Sequence, residues 1–333
     1  MSKKIGIGII SFAHMHAYGY ASAIARNPNA RLVAVADENM QRGREAAKQF
    51  GVRALYTDFR NLLKNPAVDA VVVCSENKKH CPHIIAAAEA KKHILCEKPI
   101  TTTVSDAEKM ISARDRNHVK LEMAFPVRFA GAAREVKQDL TNNAIGSLLA
   151  INATNHGKNP GSWFTKKKLA GGGAVMDHTV HVIDLVRWFT GAEPIEVYAE
   201  IGRLFNKKLE VDDAGILSVR FSNNMFLTLD ASWSRPKSYP TWGDVTMEIV
   251  GTDGLISMDV FNQTLRVFSN MLPVASREYW GDSTDDLLID DFVHSIIEDR
   301  PVSITAEDGV AAMRVALAAY ESARKKDVVI LRG

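Results

Sequence analysis

The sequence predicts an α/β chain: a parallel sheet covered by helices on both faces, followed by an α+β half whose sheet is mostly antiparallel. Three observations carry this. Short, continuously apolar runs alternate with helical spacing up to residue 122, as strands buried on both faces do. Beyond residue 194, strand-like runs follow one another without helices, and Asn223-Asn224 and Asp253-Gly254 supply turns between neighbours. Between these lies the stretch 93–100, an apolar run that breaks into Glu97, Lys98 and Pro99. Pro99 has no N–H for a ladder, so the strand ends there. An acid and an amine are left at the carboxyl edge of a sheet, where open α/β folds bind ligands. The division this gives is 1–122 and 123–333.

In order, residues 5–10 form a first strand and 17–26 a first helix, 31–36 a second strand and 40–50 a second helix. A short helix ends at 62–65, before Pro66. Residues 70–74 form a Val-rich strand, 83–90 an alanine-rich helix and 93–96 the strand above. Ser105, with Glu108 three residues on, predicts a capped helix through 116. In the second half, residues 147–156 alternate loosely and 174–190 have helical spacing. Strands are expected at 195–201, 215–221, 226–232, 245–250, 255–260 and 264–268. Helices at 283–298 and 305–324 follow, separated by Pro301.

The chain has 333 residues, 46% apolar and 24% charged, with a formal net charge of +2. That is enough for two domains with real cores, and it gives no argument for a nucleic-acid partner. Lys166-Lys167-Lys168, the densest basic cluster, reads as a solvated loop. Cys74, Cys81 and Cys96 are too few for a disulfide framework and point to a reducing, cytoplasmic setting. Lys3-Lys4 before an apolar run faintly resembles a signal peptide, but Gly6 and Gly8 interrupt the run and no cleavage site follows. No stretch approaches the roughly 18 apolar residues of a membrane span.

Gly6-x-Gly8-x-x-Ser11 looks like a dinucleotide fingerprint in the wrong place. Such glycines must follow the strand, whereas Gly6 and Gly8 precede Ile9-Ile10. The turn is better placed at Ser11, Phe12, Ala13 and His14, with a helix from about His16, and small residues at 11 and 13 standing for glycine. Asp37 ends the second strand, 26 positions after Ser11 (37 − 11). An acid there can accept from the hydroxyls of an adenine ribose and repels a 2′-phosphate, which favours NAD over NADP. Arg42 lies within reach of such a phosphate.

At Cys96-Glu97-Lys98-Pro99, at Gly171-Gly172-Gly173 with Asp177, His181 and Asp184, and at the segment 248–254, the chain resembles the Gfo/Idh/MocA oxidoreductases, among them glucose–fructose oxidoreductase and inositol dehydrogenase. Ser75-Glu76-Asn77 with His80 is a weaker match, Glu76 standing where the family has proline. Ser11 and Ala13 replace the loop glycines, and Pro126 stands where the family often has asparagine before Arg128-Phe129. The resemblance spans essentially the whole chain. It implies a Rossmann domain, a second domain whose large open sheet forms a homodimer or homotetramer interface, and hydride transfer between NAD(P) and a hydroxyl carbon of a sugar or cyclitol.

The chemistry fits these residues. His181 has the ordinary pKa to take a hydroxyl proton near neutrality, and Lys98 can hold the same oxygen. The resemblance assigns the same roles to the matching lysine and histidine. Asp177 and His181 share a helix face, and so nearly does Asp184. Asp177 is expected as the third catalytic member, one acid orienting the imidazole, with Asp184 in support. The expected cofactor contacts are Ser11, Phe12, Ala13, His14, Asp37, Ser75, Asn77, His80, Glu97, Lys98 and Arg128. The expected substrate contacts are Lys98, His156, Trp163, Asp177 and His181, with Arg128 and Lys158 as further candidates. Trp233 and Trp242 read as sheet-face or interface residues, and residues 171–173 as close backbone approach to a ligand or a sharp turn. His178 with His181, His80 with His83, and His14 with His16 have spacings some metal ligands show, but without thiolate partners no metal is expected. Two other readings stand beside the dehydrogenase. One is an NAD-retaining lyase, glycosidase or epimerase that oxidises its sugar only transiently. The other is a non-catalytic dinucleotide-binding protein, which the missing loop glycines favour.

Overall fold

A computed structural model describes residues 4–262, 264–267, 276–279 and 283–331. In the first half, strands β1 (Ile5–Ile10), β2 (Ala30–Ala36), β3 (Ala54–Tyr56), β4 (Ala70–Val73), β5 (His93–Glu97) and β6 (Leu121–Ala124) form one sheet in the order β3-β2-β1-β4-β5-β6. Every pairing in it is parallel. The crossovers are α1 (His16–Arg26), α2 (Met40–Gln49), α3 (Phe59–Leu63), α4 (His80–Glu89) and α5 (Val104–Asn117). Strand order reverses between β1 and β4, which opens a crevice at the carboxyl ends of the strands. Gly6 and Gly8 do lie inside β1. A Cβ on Gly6 would meet the Ala67 carbonyl oxygen at 1.9 Å, so these glycines serve packing. Ile7, Ile9 and Ile10 of β1 are buried, each burial stabilising by about 1.5–3 kcal/mol.

One strand goes unread in the sequence, and two expectations need correction. β3 is an edge strand of three half-buried residues, too short for periodicity to reveal. The cap of α5 is Thr103, whose side chain accepts from the Asp106 N–H, and not Ser105. The boundary at 122 falls inside β6, whose Ala124 still pairs with Glu97.

The second half begins with α6 (Gly131–Thr141), β7 (Leu148–Thr154), α7 (Lys167–Ala170) and α8 (Ala174–Thr190). Strands β8 (Pro194–Gly202), β9 (Ala214–Phe221), β10 (Phe226–Asp230), β11 (Thr246–Gly251) and β12 (Leu255–Asp259) follow. A two-stranded ribbon of β13 (Thr264–Val267) and β14 (Ser276–Tyr279) comes next, then α9 (Thr284–Ile297), α10 (Ala306–Lys325) and β15 (Val329–Ile330). Phe268, expected at a strand end, lies outside the described residues. The large sheet runs β12-β11-β7-β10-β9-β8-β15 and is antiparallel except where β10 pairs with β7. Its inner face, with Val197, Leu217, Leu227 and Ile249, packs on α8 and α10. Its outer face carries Phe226, Ala150, Val250 and Leu255 side by side across four strands, with Phe226 and Leu255 more than half exposed.

The last two helices return to the first sheet. α9 packs on α1, and the Met123 N–H of β6 donates to the Ile304 carbonyl oxygen at 3.0 Å. The two halves therefore share one continuous core. None of the described helices is long and apolar enough to cross a membrane.

Candidate functional site

β5 ends at the centre of the crevice, and its last residue is a fully buried acid. Glu97 Oε1 accepts from Tyr20 Oη at 2.6 Å and pairs with His16 Nδ1 at 2.8 Å, while Oε2 accepts the Lys98 N–H at 2.9 Å. Burial alone would raise its pKa. The His14 and His16 imidazoles and the His16 hydrogen bond carry it instead well below the usual carboxylate range. A buried carboxylate is tolerated because its lone pairs are filled.

Lys98 follows, and the cis Lys98–Pro99 bond turns the chain away. Its Nζ donates to Asp177 Oδ1 at 2.5 Å and to the Asp177 carbonyl oxygen at 3.2 Å, so the first turn of α8 grips the amine. Trp233 Nε1 donates to the other Asp177 oxygen at 3.3 Å. Against burial, the Lys98 charge and then His178 hold the Asp177 carboxyl well below its ordinary value.

α8 starts at Gly173, which has no side chain to cap it. The cap comes from elsewhere in the chain. Asp212 accepts from the Gly173 and Val175 N–H groups at 2.9 and 2.8 Å, and its carbonyl oxygen accepts from Ala174. Tyr320 Oη on α10 donates to Asp212 at 2.8 Å and accepts from Gly173 and Met176. All four leading N–H groups are thereby satisfied. A Cβ on Gly173 would meet the Asp212 carbonyl oxygen at 1.9 Å and one on Gly172 the Tyr320 hydroxyl at 2.2 Å. Gly171, with φ 83°, makes the turn. The glycine run thus makes a turn and close approaches within the protein.

Lys98, Asp177 and His181 line one cavity of about 190 Å³, with His14, His16, Asn155, Phe164, Trp242 and Asp285 among its other walls. His181 Nδ1 is buried and has no hydrogen-bond partner among the described residues; neither has His14 Nε2 or Asn155 Oδ1. Burial and then the Lys98 charge hold the His181 imidazole well below its ordinary pKa, so it is neutral at pH 7. Burial likewise puts His14 at about 3.

A second cavity, of about 240 Å³, lies across the loop at the ends of β1, β2 and β4 and is lined by Ser11, Asp37, Ser75, Glu76 and Lys79. Ser11 takes a glycine-like φ of 71°. Phe12 packs on Tyr18 and Phe50, and its N–H donates to Asp37 at 2.8 Å. The Ala13 N–H turns back to Ser11 Oγ, and its carbonyl oxygen accepts from Trp163 Nε1. Asp37 also accepts from the Asn39 N–H and from Arg42 Nε and Nη2, at 2.7–2.8 Å.

Several expected site residues sit elsewhere. Arg128 lines neither cavity. It is buried in a two-point pair with Asp184 at 2.6 and 2.7 Å, and with Asp308, so Asp184 does not support His181. Asp177 orients Lys98 and makes no hydrogen bond to His181. His80 is fully buried between the carbonyl oxygens of Ser75, Pro99 and Ile100 and ties β4 to β5. Asn77 donates to the Ala170 carbonyl oxygen, and Lys158 to that of Tyr239. His156 bridges Asp230 and Asp244, and its neighbour Asn155 faces the cavity instead. Trp163 packs beneath the loop, while Phe164 lines the cavity. The sequence reading missed His16, Asn155, Trp242 and the Trp233 hydrogen bond. A buried indole needs an acceptor, which was the one available signal.

Among the described residues, His14, His16 and Glu97 bring possible metal-ligand atoms within 4.8 Å of one another. The His14 Nδ1 accepts the His16 N–H, which leaves the neutral ring protonated at Nε2, the atom that would have to ligate. The cluster is a hydrogen-bonded acid with two imidazoles.

Family models agree with this architecture in both halves. Residues 5–125 match "Oxidoreductase family, NAD-binding Rossmann fold" and residues 133–257 match "GFO/IDH/MocA C-terminal domain". The chain is 29% identical to the myo-inositol 2-dehydrogenase of Thermotoga maritima, over 98% of this chain and 97% of that one. It is 30% identical to the levoglucosan dehydrogenase of Pseudarthrobacter phenanthrenivorans, over 79% and 73%. Among solved structures, the scyllo-inositol dehydrogenase of Lactobacillus casei with bound NAD(H) and scyllo-inositol superposes with a TM-score of 0.86 at 26% identity, covering 98% of this chain and 99% of that one. With an NAD-binding Rossmann domain joined to its characteristic second domain across one cavity, the chain belongs to the Gfo/Idh/MocA oxidoreductase family.

Proposed function

We propose that this chain is an NAD-dependent dehydrogenase moving a hydride between the nicotinamide and a secondary hydroxyl carbon of a sugar or cyclitol. The observation that carries the reading is that Lys98, fixed by Asp177, and a neutral His181 with an unpartnered Nδ1 line one cavity at the carboxyl edge of the sheet. Bound NAD supplies the hydride acceptor. The cavity suits it: His14, Asn155 and His181 line it, and each has a buried polar atom with no hydrogen-bond partner among the described residues.

The residues divide the remaining work. His181 takes the hydroxyl proton, and the Lys98 ammonium stabilises the charge that develops on that oxygen. Asn155 Oδ1 accepts from a neighbouring hydroxyl, and Phe164 and Trp242 cover the C–H faces of the ring. Ser11, Ser75 and Asp37 hold the adenosine end, and the Asp37 charge selects NAD over NADP. The row of Phe226, Ala150, Val250 and Leu255 supports a homodimer or homotetramer through the open sheet. The three free, buried cysteines support a cytoplasmic enzyme.

The test is NADH formation at 340 nm with myo-inositol, scyllo-inositol, levoglucosan and simple glucosides. Steady NADH production with at least one of them is expected. A protein that binds NAD tightly and reduces none of it with any polyol would overturn the reading.

A further inference from the structure

The cavity holds two imidazoles in opposite surroundings, and hydride transfer uses only one of them. His181 is neutral, and its Nδ1 has no hydrogen-bond partner among the described residues. His16, at the first turn of α1, lines the same cavity with its side chain 36% exposed. Its Nδ1 pairs with Glu97 at 2.8 Å, and Glu97 is itself fixed by Tyr20 Oη and the Lys98 N–H. Nδ1 is thereby held as the donor, and Nε2, which makes no hydrogen bond among the described residues, is left to exchange a proton. An acid bonded to one ring nitrogen, with the other presented to a ligand space, is how imidazoles are set up as bases.

From this geometry we infer that His16, oriented by Glu97, is a second acid–base group of the site, which moves the proton on the carbon next to the carbonyl that oxidation creates. The inference rests on the dehydrogenase reading for the source of that carbonyl. In the step, the C–H bond breaks, its electron pair becomes the C=C of an enolate, and the proton passes to His16 Nε2. Lys98 stands beside the carbonyl oxygen and stabilises the enolate charge. Return of the proton to the same face gives exchange with solvent. Where the next carbon carries an alkoxy group, that C–O bond breaks instead. The oxygen leaves with the electron pair and takes the proton from the imidazolium, giving an enone and an alcohol. No oxidant or reductant beyond the hydride step is consumed.

The electrostatics agree. Burial lowers the His16 proton affinity, but the Glu97 charge and hydrogen bond more than offset it, with Lys98 opposing and Asp285 of α9 adding, so the ring ends above its ordinary pKa. Two titratable groups pushed apart in one cavity mark an acid and a base.

The experiment supplies the carbonyl directly. Enzyme with bound NAD is incubated in D2O with the monoketone of myo-inositol, and deuterium at the adjacent carbons is followed by NMR and mass spectrometry. The wild type is expected to exchange far faster than buffer. In His16→Gln, exchange is expected to fall at least tenfold further than NADH formation from the polyol. Glu97→Gln should shift the pH profile of exchange downward. Should that buried variant not fold, titration of the wild-type histidine resonances replaces it, with the His16 signal titrating above ordinary histidine. Absence of wild-type exchange, or equal losses of exchange and hydride transfer in His16→Gln, overturns the inference. Because the ketone is added ready-made, a failure of alcohol oxidation leaves this test standing, and the two readings fail separately.

Discussion

The two cavities on either side of the loop differ in how complete they are without a ligand. At the cavity lined by Ser11 and Ser75, Asp37 accepts four N–H groups, two of them from Arg42. At the cavity lined by Lys98, His14, Asn155 and His181 keep buried polar atoms with no hydrogen-bond partner among the described residues. A saturated site must exchange one partner for another when it binds, so its net gain is small. An unsatisfied site gains a full hydrogen bond for each atom, because leaving such an atom buried and alone costs about 1–3 kcal/mol. Affinity and discrimination should therefore be adjusted at the first cavity, and the pull on substrate concentrated at the second.

The sharpest test separates the two ends. Lys98→Ala should lower kcat by roughly 10²–10³, the range for losing one group that stabilises developing oxyanion charge, while NAD affinity by calorimetry changes little. Loss of NAD binding in parallel would erase the distinction.

Asp212→Ala strips acceptors from the start of α8. A loss of about 1–3 kcal/mol in unfolding free energy is expected, together with a fall in kcat that exceeds any change in the KM for NAD. Asp212→Asn, which keeps one acceptor oxygen, should recover part of both.

Arg42→Met removes the partner that Asp37 must release. If that pair, with Asp37 buried and Arg42 partly so, is worth about 1 kcal/mol, NAD should bind up to about fivefold more tightly, and NADP relatively worse. Weaker NAD binding would mean that Arg42 serves the cofactor and does not compete with it.

The smallest effect concerns the strand end beside Asn155. Burial lowers the His156 pKa, but Asp230 and Asp244 raise it to about 9, from an ordinary 6.5. A raised folded-state pKa stabilises fully below 6.5, and that stability is lost as pH rises through about 9. The Tm difference between the wild type and His156→Gln should therefore be largest near pH 6 and shrink by pH 10.

The regular elements were legible in the sequence because buried strands and capped helices leave periodic signals. The runs at 70–74 and 174–190 needed no tertiary information. The lysine and the histidine at the cavity were legible because Pro99 marks a strand end and because Asp177 and His181 share a helix face. What failed were assignments of partners. Arg128 and Asp184 looked like site residues because charge is conspicuous, yet each is the other's counter-ion from a distant segment. His156 suits a sugar pocket by its chemistry, yet the cavity takes the adjacent Asn155. His16 reads in the sequence only as a helix start and a spacing some metal ligands show, because its meaning depends on Glu97, 81 positions away. Spacing along one chain reports which residues share an element. It carries no information on which side chains from different elements meet.

The hydroxyl of Tyr320 has a consequence for how the enzyme comes into being. The tyrosine belongs to the last helix, yet it helps hold the first turn of the helix that grips the lysine. A chain that stops short of residue 320 lacks one of the two groups that satisfy the leading N–H groups of that helix. The grip on Lys98 thus draws on a residue 147 positions beyond the Gly173 N–H it accepts from.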